Sequence, residues 1–130
     1  MQRETEISKE IRQRLEEIEA ERKRLEAIEA ERKRLSDAAK KDAADARALQ
    51  STYNESWEMP ELYPNVNYPE LNANRAAAIE RAQVSARKEF WMPQFMSALP
   101  EMPKEVCGLI AEFCENQTVI SLPTSVWSSR

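Results

Sequence analysis

Apolar residues along the first third of the chain fall at Ile7, Ile11, Leu15, Ile18, Leu25, Ile28 and Leu35. Their steps are threes, fours and sevens, the spacing that lines one face of an α-helix. Around them a decapeptide is written almost twice: residues 15–24 and 25–34 differ only at Glu17 against Ala27. Neither copy contains Gly, Pro or an aromatic, and runs of acids alternate with runs of bases. The pattern predicts one helix from residue 5 to about 50, roughly 70 Å long. Its seam resembles a heptad repeat, with Ile11, Leu15, Ile18, Leu25, Ile28 and Leu35 as the candidate self-association residues of a coiled coil. Arg22 and Arg32 interrupt that seam, and a ten-residue repeat drifts by about −80° per copy on a straight helix. A lone solvated helix is the alternative. It would be supported by Glu10–Arg14, Glu19–Lys23 and Glu29–Lys33, each an acid four residues ahead of a base and contributing about 0.2–0.5 kcal/mol. Residues 36–48 are rich in Ala, which favours helix and permits close helix packing.

The pattern changes at residue 51. Tyr53, Trp57, Met59, Leu62, Tyr63, Val66, Tyr68 and Leu71 are crowded together with Pro60, Pro64 and Pro69. Pro fixes φ and restricts the residue before it, so 51–72 reads as an extended linker. Its aromatics call for a groove, formed by the chain's own helices or by a partner. Residues 73–92 read as a second helix, capped by Asn72 or Asn74 and stopped by Pro93. Its stripe runs through Ala76, Ile79, Ala82 or Gln83, Ala86 and Phe90. Residues 94–130 form a small C-terminal unit. Pro103 opens a short amphipathic helix there, with Val106, Cys107, Ile110, Phe113 and Cys114 on the buried side.

These readings predict an all-α, elongated chain with four parts: 1–50, 51–72, 73–92 and 94–130. It has a long N-terminal helix or coiled coil, a small C-terminal helical unit and no large core. Composition agrees. A single Gly in 130 residues leaves little material for tight hairpins or phosphate-cradling loops. Much of the 42% hydrophobic content is Ala, and mean hydropathy is −0.71. The 19 basic and 23 acidic residues are interleaved, without the basic patch that nucleic acid requires. No apolar run is long enough to span a membrane. The polar, acidic start matches neither a secretory signal nor a transit peptide, so the cytosol or nucleus is expected.

Chemistry is sparse. The chain has no His, the commonest general base and metal ligand. Cys107 and Cys114 stand two helical turns apart, about 10 Å in rise, too far to bridge within a helix. The carboxylates lie on the charged rod rather than around a pocket that would tune them. No catalytic residue, cofactor or metal ligand is expected, and function is expected to lie in protein partners.

Met102-Pro103-Lys104-Glu105-Val106 is followed four residues later by Ile110, then by Phe113-Cys114. A polar break, Glu115-Asn116-Gln117, precedes the run Val119-Ile120-Ser121-Leu122, and Trp127 follows. This order resembles the start of an F-box as found in many fungal F-box proteins, with Met in place of the opening Leu. Pro123 departs from it, falling within the motif's second helix. The resemblance covers 102–130. It implies a non-enzymatic adaptor that docks on a Skp-type adaptor of a cullin ubiquitin ligase. Met102, Pro103, Val106, Ile110, Phe113, Val119, Ile120 and Leu122 would form the docking surface. The alternative is a structural subunit of a virion or other large assembly, wrapping over its neighbours.

Overall fold

The structure, a computed structural model, describes residues 2–114 and 120–124, with side chains described from Thr5 onward. It is all-α: α1 spans Gln2–Glu58, α2 spans Tyr68–Ala98 and α3 spans Lys104–Phe113. A single 3₁₀ turn, Pro60–Leu62, lies between the first two. No strand occurs among the described residues.

The first helix is longer than the seam predicts, 57 residues or about 85 Å. It continues through Tyr53 and Trp57, because nothing before Pro60 bars helix. The second helix starts four residues before the proposed Asn72 cap. Asn67 is the cap, its side-chain oxygen accepting from the Glu70 N–H at 3.2 Å. Pro69 lies in the first turn, where its missing N–H costs nothing. Pro93 does not stop α2, which runs five residues further to Ala98. Pro93 is buried and flanked by Met92, Phe95 and Met96, whose packing offsets the one ladder bond it removes. The extended linker is therefore short, from Met59 to Asn67.

The two long helices form an antiparallel hairpin, and polar pairs mark its register from end to end. Arg24 donates to the Ser97 carbonyl at 2.8 Å. The Ser85 hydroxyl donates to the Asp42 carboxylate, and Arg75 donates to Gln50 Oε1 at 2.8 Å. At the closed end the Trp57 and Tyr68 rings stack with centroids 4.4 Å apart. The Tyr68 hydroxyl donates to the Ser56 carbonyl at 3.0 Å. Arg75 lies over the Tyr53 ring, 4.6 Å from its centroid. The aromatics that the sequence placed in a sticky linker thus close the hairpin on the chain's own helices.

Apolar packing divides into two small clusters. Leu35 of α1, Met92 of α2 and Ala111 of α3 form one, with Trp91, Phe95 and Met96 against them. Ala46, Ala78 and Ala82 form the other, joined by Leu49, Ile79, Ile120 and Leu122. Of the expected α2 stripe, Ala82 is buried and Ile79 packs on the alanine cluster, whereas Ala76 and Phe90 face solvent and Ala78 and Met92 are buried in addition. Residues 120–124 carry no helix and lie along the hairpin. Arg47 donates to the Ser121 carbonyl at 2.9 Å, and Asn54 to the Pro123 carbonyl at 3.1 Å.

Candidate interaction surfaces

Among the described residues, two rows of large apolar side chains at helical spacing are exposed. The first is the outer face of α3. Its inner face is built of small residues: Cys107 and Ala111 are fully buried, and Gly108 lies against Met92. Small side chains let the helix approach α2 closely, and this turns the large residues outward. Val106 and Ile110 are each 39% exposed and Phe113 is 86% exposed. The expectation that Val106, Ile110 and Phe113 face inward is therefore corrected; Cys107 alone of that set is buried, and Cys114 is half-buried. Both thiols are free. Leu109, which the sequence reading did not single out, extends the outward row. It could have been found by asking which face holds the Cys, Gly and Ala needed for close packing.

Electrostatic contacts pin α3 in place. Lys88 of α2 pairs with Glu112 at 2.9 Å, and Arg87 donates to the Glu112 carbonyl at 3.1 Å. At the other end Lys104 reaches the buried Glu31 of α1 at 3.0 Å. Arg34 also binds Glu31. The Arg34 hydrogen bond, helped by Lys104 and opposed by burial, holds the Glu31 carboxyl below its ordinary range. A lowered folded-state value adds stability above the unfolded carboxylate range and loses it as pH falls through the folded value. Glu31→Gln is therefore expected to cost about 1.5–3 kcal/mol near neutrality. The gap between wild type and variant should close on acidification in thermal melts from pH 7 to 3. Parallel pH profiles would overturn this role for Glu31.

Gly108 supplies a second test. A Cβ built there would sit 3.6 Å from Met92 Sδ, an ordinary contact. Gly108→Ala is expected to stabilise by about 0.5–1 kcal/mol, because Gly is the poorer helix former. A raised midpoint in chemical unfolding would bear this out, whereas a lowered one would mean that Met92 cannot yield.

Of the other docking residues suggested by the resemblance, Met102 is half-buried and Pro103 exposed in the loop before α3. Ile120 and Leu122 are half-buried against the alanine cluster of the hairpin, away from the α3 row. Val119 lies outside the described residues, as does Trp127.

The second surface is on α1. Every residue from Thr5 to Lys23 is exposed. Contact with α2 begins at Arg24, so roughly 33 Å of helix extends past the hairpin as an arm. Ile11, Leu15, Ile18 and Leu25 are more than half exposed on it, and so is Ile7. Ile28 and Leu35, named with them as seam residues, are buried, and Leu35 packs within the hairpin. The proposed seam is thus split by α2. The charge pairs also differ in detail. Glu10–Arg14 forms at 3.8 Å, but Glu19 is bound by Arg22 and Glu29 approaches Arg32 at 3.9 Å. At Glu19, Arg at i+3 supplants the expected Lys at i+4, its Nε and a terminal nitrogen both donating to the carboxylate.

Among the described residues no cluster of three or more His, Cys, Asp or Glu could hold a metal ion. Nor is any described helix long and apolar enough to cross a membrane. The fold and its surfaces define the chain as an all-α helical hairpin with a projecting arm. No protein-family model matches it, and neither a curated protein nor a solved structure does.

Proposed function

We propose that the chain is a non-enzymatic interaction adaptor, with the outer face of α3 as its docking surface and the α1 arm as a self-association element. The observation that carries the reading is the row Val106, Leu109, Ile110 and Phe113. It is turned to solvent on a helix whose other face and both ends are held to the hairpin. Such a rigid, preformed apolar helix face suits a protein partner, since little ordering cost is left to meet on binding.

The partner suggested by the F-box resemblance is a Skp-type adaptor of a cullin ubiquitin ligase, which brings with it a cytosolic or nuclear location. Val106, Ile110 and Phe113 support that reading by lying together and outward. Ile120 and Leu122, seated on the hairpin, would have to leave it to join the same surface. Purified Skp-type adaptor titrated calorimetrically with the full chain tests it. Binding by wild type that is lost in Ile110→Asp with Phe113→Asp is expected. Since both side chains are exposed, circular dichroism should be unchanged in the variant. If wild type does not bind, the F-box reading falls.

The projecting arm is the observation that favours a second reading, a structural subunit of a virion or other large assembly. In that case association through the arm would continue into higher oligomers instead of closing at a defined size.

A further inference from the structure

Placed on a helical wheel, Ile7, Ile11, Leu15, Ile18 and Leu25 fall within an arc of about 80°. The α1 face that packs on α2, marked by Ile28, Leu35, Ala39 and Ala46, is centred roughly 100° away. α3 approaches from the far side of that face, through Glu31. The apolar arc therefore stays open along the whole arm and past Leu25, where the hairpin begins. We propose that two copies of this chain associate through their arms as an antiparallel coiled coil, with Leu15 of each packed on the partner's Ile18. The proposal rests on the self-association reading above and adds the orientation and the register.

Charge selects both. With Leu15 on the partner's Ile18, Arg12 faces the partner's Glu19 and Arg14 faces the partner's Glu21, and each contact occurs twice by symmetry. Ile11 meets the partner's Arg22, whose aliphatic stem can cover it while Glu19 and Glu26 of the same helix hold the guanidinium outside. Ser8 meets the partner's Leu25. Sliding by one heptad in one direction would set Arg12 against Arg12 and Arg14 against Arg14. Sliding in the other would set Glu19 against Glu19 and Glu21 against Glu21. A parallel pair in register would place Arg22 on Arg22 within the seam and Glu21 beside the partner's Glu26. Of these arrangements, only the first antiparallel register opposes each of Arg12, Arg14, Glu19 and Glu21 with a charge of opposite sign. The interrupting Arg22, a defect in a parallel seam, thereby becomes a determinant of orientation.

The register also explains why the decapeptide repeat supports a short contact only. About 18 residues of each arm overlap, some 27 Å, before the α2 side of the hairpin is reached. Association should therefore be weak and concentration-dependent.

Sedimentation velocity of the full chain over a concentration series reads the assembly. A monomer–dimer equilibrium is expected for wild type, and a monomer throughout for Leu15→Asp with Ile18→Asp. Both side chains are exposed, so the helical hairpin should persist. Glu21→Arg should weaken the dimer about fivefold by creating two like-charge contacts, and adding Arg14→Glu should restore it. In a parallel pair Glu21→Arg would instead strengthen association. Orientation is read directly by mixing one copy bearing Ser8→Cys with another bearing Leu25→Cys, both in a Cys114→Ser background, and oxidising them. A mixed disulfide dimer is expected. A dimer that yields only like-with-like disulfides would overturn the antiparallel register while leaving self-association standing. A monomer at every concentration would overturn both.

Discussion

Leu35→Ala is expected to cost about 2–5 kcal/mol. Leu35 is 3% exposed and sits where all three helices meet, against Met92 of α2 and Ala111 of α3. Trp91, Phe95 and Met96 surround the group. Truncation removes the transfer free energy of three carbons and leaves a cavity. Helices held on both sides by ion pairs and a closed turn cannot collapse freely into it. A small domain has only about 5–15 kcal/mol in total, so the hairpin would lose a large share of its stability. Unfolding in urea followed by tryptophan fluorescence is the measurement. A loss under about 1 kcal/mol would mean that Met92 and Phe95 repack and that the three-helix junction is not a specific core.

Ala46→Leu tests the other half of the hairpin, where the expected cost is about 1–3 kcal/mol from overpacking. Ala46 is fully buried and faces Ala78 and Ala82, each 1% exposed. Three alanines in contact bring the two backbones close, and a leucine at the centre must push them apart. Ile120 and Leu122 rest on the same cluster, so the variant should also release residues 120–124 from the hairpin. Ala48→Leu is the control, since Ala48 lies on the same stretch of α1 but is exposed. It should change stability by less than about 0.5 kcal/mol. Equal effects at the two positions would remove close alanine packing as the cause.

Much of the secondary structure could be read from the chain. The charged, Gly-free run with apolar steps of three, four and seven defined a long helix. Pro103 with the following apolar positions defined the start of α3. The errors concentrate at proline. Pro69 argues against helix when taken alone, but it occupies a first turn, where Pro is accepted. Pro93 predicts a stop, but packing of its neighbours carries α2 past it. Local sequence does not reveal whether tertiary contacts will offset one missing hydrogen bond.

The candidate surfaces were less legible. Hydrophobicity alone orients a helix by its large residues and so predicts Val106, Ile110 and Phe113 inside. In the structure the close approach of α3 to Met92 selects the small face, Cys107, Gly108 and Ala111, and the large residues are left outward. Likewise Ile28 and Leu35 share a periodic pattern with Ile11 and Ile18, yet they have a different fate.

By itself, then, the sequence determined an all-α, elongated chain with no large core and an apolar face on each helix, because periodicity, helix propensity and composition act locally. Only the tertiary structure decided which of those faces is consumed. The turn closed by Trp57 and Tyr68 folds α2 back along α1, and α2 ends at Ala98, which sets its length. That length buries Leu35 and Ile28, and it leaves Leu15 and Ile18 beyond α2's reach. Burial is a property of where a second helix ends, and no residue within the first helix records it.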